Sequence, residues 1–166
     1  MWPAPFIVTL IAQRTSALFL STGIDIIETG RVAKVVKRHP ERFLARVYTP
    51  LEVAFCRGRI PELAARFAGK EAVMKALGTG ARGLGWREIE ILPNKRGKPM
   101  VYLHGKAAER AEEIGLLHAD ISLTHIAELS LAFVVASLTK GVEGMDDPYA
   151  SRLYLEEWLR ERGRLQ

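Results

Sequence analysis

The residues best suited to chemistry lie close together in the chain, at Lys70-Glu71 and Lys75. On a helix, Lys75 follows Glu71 by one turn on the same side, and Lys70 falls inside an apolar stripe. A carboxylate and two ammonium groups at this spacing can share a phosphorylated ligand through a metal, which the carboxylate holds while the lysines neutralise phosphate oxygens. The simpler alternative is a Glu71–Lys75 surface pair beside a Lys70 that extends its ammonium to solvent. The helix alone leaves both interpretations open.

A second carboxylate stands where apolar residues are expected. Asp25 interrupts a strand-like run of isoleucines directly after Gly23. A buried aspartate without a partner is costly, so Asp25 either caps the helix that begins near Glu28 or meets a cation. Mg²⁺ commonly takes one or two carboxylates together with waters and phosphate oxygens. A strand carboxylate at Asp25 and a helix carboxylate at Glu71 are therefore the candidate metal ligands.

Two further segments carry residue types used at binding sites. Residues 78–83 fit the pattern G-x-G-x-x-G, but they follow a predicted helix and precede a predicted strand, the reverse of a dinucleotide fingerprint. We interpret them as a connecting loop whose backbone can approach a ligand. His125 ends a predicted strand, where a single histidine can serve packing, hydrogen bonding or catalysis. The sequence contains no serine-hydrolase, zinc-protease or P-loop motif.

The elements that must position these residues are short and alternate in type. Apolar alternation predicts strands at residues 17–27, 86–92, 99–104, 119–125 and 129–138. Helical spacing predicts helices at residues 28–39, 50–58, 62–77, 106–114 and 151–162. Pro40 ends the first helix, and a capping box from Thr49 to Glu52 starts the second. Hairpins interleaved with helices in this order favour an α+β fold, with a small antiparallel sheet packed against helices, over a doubly wound sheet.

Composition limits the class of protein. The chain has 166 residues, of which 48% are hydrophobic and 26% charged, as is typical of one globular domain. The single cysteine can form neither an intramolecular disulfide nor a thiolate zinc site, so we expect a cytoplasmic protein. Lys and Arg number 24 against 19 Asp and Glu, and the net charge of +5 suggests an anionic partner.

The chain is expected to divide into a domain at residues 17–139 with an extension at each end, 1–16 and 140–166. The apolar N-terminal segment lacks a basic start and is interrupted by polar residues, so it predicts neither a secretory signal nor a membrane span. The helix at 151–162 is amphipathic with acidic and basic residues on its polar face. That mixture favours packing on the domain or on a neighbouring subunit over a membrane surface.

Taken together, these motifs resemble the two-part signature of the 4′-phosphopantetheinyl transferases. The first part is Gly-Ile-Asp-Ile at residues 23–26, and the second is Phe-Ala-Gly-Lys-Glu-Ala-Val-Met-Lys-Ala at residues 67–76. Leu-Gly-Thr-Gly at 77–80, Gly-Lys-Pro at 97–99 and Ser-Leu-Thr-His at 122–125 are similar to the short bacterial type, the holo-acyl-carrier-protein synthases.

This resemblance covers about residues 18–136, most of the chain, and matches in residue type, spacing and order. It departs from the common pattern at Gly69, where alanine is usual, and at Ile126, where a threonine often follows the histidine. Glycine at residue 69 weakens the helix by up to about 1 kcal/mol.

The resemblance implies an enzyme that moves the phosphopantetheine arm of coenzyme A onto a serine of apo-acyl carrier protein and releases adenosine 3′,5′-bisphosphate. It implies that Asp25 and Glu71 bind Mg²⁺ and that Lys75 contacts the phosphate and stabilises the leaving group. The serine proton passes to Glu71 or to a metal-bound hydroxide. The further residues that it implies at the coenzyme are Arg66, Lys70, Gly80 and His125.

The resemblance also implies two kinds of protein contact. Arg31, six residues after Asp25, occupies the position that the family uses to grip the acidic carrier protein. The short bacterial type is a homotrimer with active sites between subunits. We therefore expect a trimeric enzyme whose partners are coenzyme A and apo-acyl carrier protein.

Other function classes make different demands on the sequence. A nucleic-acid-binding domain needs a clustered basic face with interleaved aromatic residues, whereas the lysines and arginines here are dispersed. A coenzyme A-binding module without activity conflicts with the presence of Asp25, Glu71 and Lys75. Within the family, the acceptor is a carrier of fatty-acid, polyketide or peptide synthesis. We expect neither nucleic acid nor a membrane as a partner.

Overall fold

The computed structural model describes residues 18–81, 83–142 and 148–164. The expected N-terminal extension at residues 1–16, the first residue of the strand predicted at 17–27, and residues 143–147 of the C-terminal extension lie outside the described residues. None of the helices in the described parts of the chain combines the length and the apolar character that a membrane span requires.

Helices and short strands alternate along the chain, as the predicted α+β class requires. The elements in chain order are β1 (Phe19–Glu28), α1 (Thr29–Arg38), α2 (Pro40–Val47), α3 (Pro50–Cys56), α4 (Ile60–Ala76), a 3₁₀ turn (Trp86–Glu88), β2 (Ile89–Pro93), β3 (Pro99–Leu103), α5 (Gly105–Glu113), β4 (Leu116–His125), β5 (Leu129–Leu138) and α6 (Pro148–Glu161). The α+β prediction is confirmed.

The structure differs from the predicted elements at two places: one helix was not predicted, and one strand begins later than predicted. Pro40 ends α1 as expected, but it also opens α2, since a proline at the first helical position loses no hydrogen bond there. The strand predicted from residue 86 begins only at Ile89. Before it, the Glu88 carboxylate accepts a hydrogen bond from the Gly85 N–H and closes a 3₁₀ turn. The capping box at the start of α3 is present, because Thr49 and Glu52 exchange hydrogen bonds.

The strands form two antiparallel sheets. One has three strands in the order β1-β5-β4, and the other is the hairpin β2-β3. In the larger sheet, Asp25 lies opposite Ala132 and Gly23 lies opposite Val134. One face of this sheet packs on α4 to form the main core, which includes Ala72, Ile121 and Val134. On the other face alternate side chains are exposed, among them Leu20, Ile24, Ile26, Phe133 and Val135.

Helix α4 lies unusually close to β1. A Cβ added at Gly23 would lie 1.8 Å from the Ala72 carbonyl oxygen, so only glycine fits at this position. One turn further along, the Ser21 hydroxyl donates a hydrogen bond of 2.7 Å to the Ala76 carbonyl. These contacts bring the Asp25 end of the strand beside the C-terminal half of the helix, where Glu71 and Lys75 lie.

The structure explains the glycine at residue 69, where the family pattern has alanine. A Cβ at Gly69 would lie 2.6 Å from the Cδ1 methyl of Ile91 and 3.2 Å from a methyl of Leu123. The Cδ1 methyl of Ile91 occupies the space that a methyl group at residue 69 would need, so alanine would fit only after that side chain moves.

We predict that Gly23→Ala lowers the free energy of unfolding by about 3 kcal/mol, the upper range for overpacking, because the new methyl group meets backbone that cannot rotate away. Urea denaturation followed by circular dichroism measures this change. The matched control is Gly30→Ala in α1, where a Cβ meets nothing within 4 Å. There the loss of glycine should stabilise the protein by roughly 0.5–1 kcal/mol. An unchanged urea midpoint for Gly23→Ala would contradict the close approach.

Candidate active site

A cleft of about 240 Å³ lies at the end of β1, between that strand, α1, α2 and α4. Its polar wall consists of Asp25, Arg31 and Glu71, and its apolar wall includes Phe43 and Phe67. Residues that are 46 positions apart in sequence, from 25 to 71, therefore face the same small volume. The structure brings together both predicted metal ligands and the predicted carrier-protein contact.

Lys75 lies beside this cleft and contacts Asp25, one of its lining residues. Its ammonium donates hydrogen bonds to Asp25 Oδ1 at 2.9 Å and to the Ile24 carbonyl at 2.7 Å. The Asp25 side chain is only 11% exposed, whereas that of Lys75 is 49% exposed. Helix α1 has Glu28 as its N-cap and no side-chain cap, so Asp25 does not serve the capping role that was the alternative. Its carboxylate instead holds a cationic group.

The electrostatics of the cleft favour a further positive charge. Burial raises the pKa of Glu71, and the charge of Asp25 and a hydrogen bond to it raise that pKa further. Lys75 and Arg31 act in the opposite direction without cancelling the rise. No cluster of three or more His, Cys, Asp or Glu side chains suited to a metal occurs among the described residues. The site thus offers a cation two carboxylates, a set that suits Mg²⁺ when phosphates and waters complete its shell.

Lys70 does not line this cleft, although it precedes Glu71. Its side chain is fully buried, and its ammonium donates hydrogen bonds to Glu52 Oε2 at 2.8 Å and to the carbonyls of Trp86 and Ile89. A lysine ammonium has three donors, and all three are engaged. In this structure Lys70 therefore has no donor left for the cofactor phosphate that the sequence assigned to it. The sequence did not predict that Glu52 contacts Lys70, because the capping box with Thr49 already gave that glutamate a local role.

A second cavity of about 230 Å³ contains two of the predicted coenzyme contacts, Arg66 and His125. Its other walls include the ring of Phe55 and the prolines at 93 and 99. The Arg66 guanidinium lies 4.5 Å from the centre of the Phe55 ring and donates to the carbonyls of Ile91 and Glu62. This cavity combines the Arg66 guanidinium, which is paired with the Glu62 carboxylate at 3.5 Å, with the His125 ring and flat apolar surfaces. Flat apolar surfaces beside a guanidinium suit a ligand that carries an aromatic base and a phosphate.

The predicted contact Gly80 lines neither cavity. It lies just beyond the end of α4, where its N–H donates to the Met74 carbonyl at 3.1 Å. The structure therefore divides the predicted coenzyme contacts of this chain between separate places. Arg66 and His125 share one cavity, Lys75 belongs to the other, and Gly80 stands apart.

Residues 21–134 match the family model of the 4′-phosphopantetheinyl transferase superfamily. The chain belongs to this superfamily. The transferase is 46% identical over 123 residues to the holo-[acyl-carrier-protein] synthase of Herpetosiphon aurantiacus, which covers 70% of this chain and 97% of that relative. It is also 46% identical over 128 residues to the holo-[acyl-carrier-protein] synthase of Moorella thermoacetica, which covers 75% of this chain and 99% of that relative.

Solved structures of this superfamily share the fold of the transferase. The holo-[acyl-carrier-protein] synthase of Helicobacter pylori in complex with coenzyme A has a TM-score of 0.64 and 32% identity, covering 69% of this chain and 98% of that one. The enzyme from Neisseria meningitidis has a TM-score of 0.65 and 34% identity, covering 70% and 96%. Both matches span nearly the whole of those proteins, so the family resemblance found in the motifs is confirmed.

The raised pKa of Glu71 predicts a pH dependence of stability in the ligand-free transferase. The folded chain binds the Glu71 proton more tightly than the unfolded chain, so stability falls as the pH rises from the ordinary glutamate value of 4.5 through the folded pKa. Glu71→Gln removes this loss. We predict a gain of up to about 1 kcal/mol at neutral pH, a size set by partial exposure of the site.

Urea unfolding of the wild type and Glu71→Gln at pH 4 and pH 7.5 measures this difference. The matched control is Glu109→Gln, which changes an exposed carboxylate on α5 and should follow the wild type at both pH values. A Glu71→Gln protein less stable than the wild type at neutral pH would contradict the electrostatic description of the cleft.

Proposed function

We propose that this chain transfers the 4′-phosphopantetheine arm of coenzyme A to a serine of apo-acyl carrier protein, giving holo-carrier protein and adenosine 3′,5′-bisphosphate. The observation that carries the proposal is that Asp25 and Glu71 line one cleft and that Lys75 binds Asp25 beside it. Relatives 40% to 46% identical are holo-[acyl-carrier-protein] synthases, which supports the same reaction here. Related structures that hold coenzyme A support it as the co-substrate.

The reaction needs no nucleophile from this chain. The serine oxygen of the carrier attacks the phosphorus that bears the pantetheine arm, and the bond from that phosphorus to the bridging oxygen of the pyrophosphate breaks. The bridging oxygen leaves with adenosine 3′,5′-bisphosphate, and Lys75 stabilises its charge. Among the groups of this chain, Glu71 is the acceptor that we propose for the serine proton, since its carboxylate lines the cleft together with Asp25.

We propose that Asp25 and Glu71 hold Mg²⁺ during this reaction. Their carboxylates are in contact, and Asp25 already attracts the Lys75 ammonium, so the donor set suits a hard cation. When bound there, Mg²⁺ neutralises charge that develops on the pyrophosphate. Lys75 must then leave Asp25, and its half-exposed side chain is free to turn towards a phosphate.

The second cavity is the site that we propose for the adenosine bisphosphate part of coenzyme A. Arg66 supplies positive charge, His125 supplies a ring with hydrogen-bonding nitrogens, and the phenyl ring and prolines beside them supply flat apolar walls. Gly80 lines neither cavity, so it has no part in the site that we propose within one chain. Lys70 has no part in this site, because its ammonium is buried with every donor engaged.

We propose a homotrimer in which neighbouring copies complete one another's sites. The support is the outer face of the three-stranded sheet, which presents a continuous group of exposed apolar side chains, among them Leu20, Ile24, Ile26, Phe133 and Val135. An exposed apolar patch of this kind typically marks a protein interface. Association of copies through this face would bury it.

The predicted reaction is tested by mass spectrometry of the carrier. The protein is incubated with coenzyme A, Mg²⁺ and an apo-acyl carrier protein, and the carrier should gain the mass of one phosphopantetheine arm. Glu71→Gln and Asp25→Asn should lower the rate by about 100-fold or more, the scale for losing a group that stabilises transition-state charge. Glu109→Gln is the control and should react as the wild type does. A carrier of unchanged mass would refute the transfer, and full activity of Glu71→Gln would refute the metal site.

The carrier-protein contact is tested at Arg31, an exposed residue of α1 at the rim of the cleft. Arg31→Ala should raise the KM for an acidic carrier by about tenfold, since charge pairs across an interface guide association. The KM for coenzyme A should stay unchanged, because Arg31 belongs to the first cleft and not to the second cavity. Lys106→Ala, an exposed basic change on α5, is the control and should alter neither value. An equal loss for both substrates would place Arg31 at the coenzyme.

A further inference from the structure

Helix α4 carries the chemistry of the site, yet small side chains dominate its buried surface. Eleven of its 17 residues are buried, and six of those are glycine or alanine: Ala64, Ala65, Ala68, Gly69, Ala72 and Ala76. Small residues let the helix approach the sheet closely, as at Gly23. However, large side chains that interlock with ridges and grooves of a neighbour are what normally hold a helix in one rotation. Helix α4 has some such contacts, from the buried Leu63 and Met74 and from Phe67, whose ring stacks on Trp86 at 4.5 Å. Because these are few, polar contacts that depend on direction can add to the control of its rotation.

The buried ion pair between Glu52 and Lys70 supplies directional contacts of that kind. Lys70 extends from α4 to Glu52 at 2.8 Å and to the carbonyls of Trp86 and Ile89. Both side chains of the ion pair are fully buried. The ammonium therefore connects α4 to α3, to the 3₁₀ turn and to β2 through hydrogen bonds that depend on the direction in which Lys70 points.

Glu52 is fixed just as firmly on its own side. Its Oε2 atom accepts from the Thr49 N–H at 2.9 Å as well as from Lys70, and its Oε1 atom accepts from the Ile91 N–H at 3.0 Å. Both oxygens are thus held by main-chain donors of α3 and β2. A fully buried pair gives little stability compared with apolar side chains of the same volume, because desolvation offsets the attraction. Its definite effect is geometric.

We propose that Glu52 and Lys70 are positioning residues, which set the rotation of α4 and so aim Glu71 at Asp25. Successive residues of a helix point about 100° apart, so an anchor at Lys70 determines the direction of Glu71. With Lys70 held towards β2, Glu71 faces β1 and the cleft. The inference rests on the proposed function, since it assigns these residues an effect on the metal site.

The test is Lys70→Met, which keeps the length and the apolar stem of the side chain but removes every anchoring hydrogen bond. The affinity of the purified protein for Mn²⁺ alone is measured by electron paramagnetic resonance, and kcat and KM by the carrier mass assay. We expect Mn²⁺ affinity and kcat each to fall by about tenfold or more, the range for groups that orient metal ligands. The KM for the carrier should stay within twofold, because Arg31 lies on α1. Glu52→Gln keeps an acceptor for the Ile91 N–H and should show the same changes to a smaller extent.

The matched control is Leu63→Ala, a fully buried change in the same helix that removes packing but no hydrogen bond. It should lower thermal stability while folded molecules keep wild-type Mn²⁺ affinity and kcat. The proposal is overturned if Lys70→Met retains both values, or if Leu63→Ala loses as much as Lys70→Met does. Should Lys70→Met fail to fold, Glu52→Gln decides by the same measurements.

Failure of the proposed function gives a different result. A wild-type protein that neither binds Mn²⁺ nor modifies the carrier refutes the reaction, whatever the variants do. Crystal structures of the wild type and Lys70→Met then decide the positioning role without reference to activity. A rotated α4 with Glu71 turned away from Asp25 supports it, and an unrotated helix refutes it.

Discussion

The contact between β1 and α4 at Gly23 is the constraint on which the site depends. The absence of a side chain there lets the Ala72 carbonyl lie where a Cβ would be, and the Ser21 hydroxyl holds the same helix one turn further on. This close approach places Asp25 on the strand next to Glu71 and Lys75 on the helix. It goes together with a helix surface in which six of the eleven buried residues are glycine or alanine.

The charges of the molecule are arranged in two settings with opposite effects. At the cleft, the carboxylates of Asp25 and Glu71 lie close together, and the charge of Asp25 raises the pKa of Glu71. The Lys75 ammonium neutralises part of this negative charge. In the interior, Glu52 and Lys70 form a fully satisfied pair that offers nothing to a ligand. The half-exposed Lys75 side chain can change its partner during a reaction, whereas the buried Glu52–Lys70 pair is held in place by its hydrogen bonds. The net charge of +5 therefore conceals which lysines are available for binding.

Much of the fold could be predicted because local patterns agree with the tertiary structure. Alternating apolar residues marked β5, and the capping box marked the start of α3. Helix α2 was not predicted, because Pro40 is compatible both with a loop after α1 and with the first residue of a new helix. The strand predicted at 86–92 begins three residues late, because the Glu88 side chain stabilises a 3₁₀ turn at its predicted start.

The sequence by itself determined the class of fold, the family and the two carboxylates of the cleft, because those depend on residue types at characteristic spacings. Only the tertiary structure decided which of the two lysines of α4 is buried and which lies beside Asp25. Lys70 and Lys75 are equally cationic in sequence, but one is buried against Glu52 and the other stands half exposed beside Asp25. Helical periodicity gives the angle between two side chains of a helix. The elements that pack around the helix decide which of those side chains is buried and which lies at the cleft.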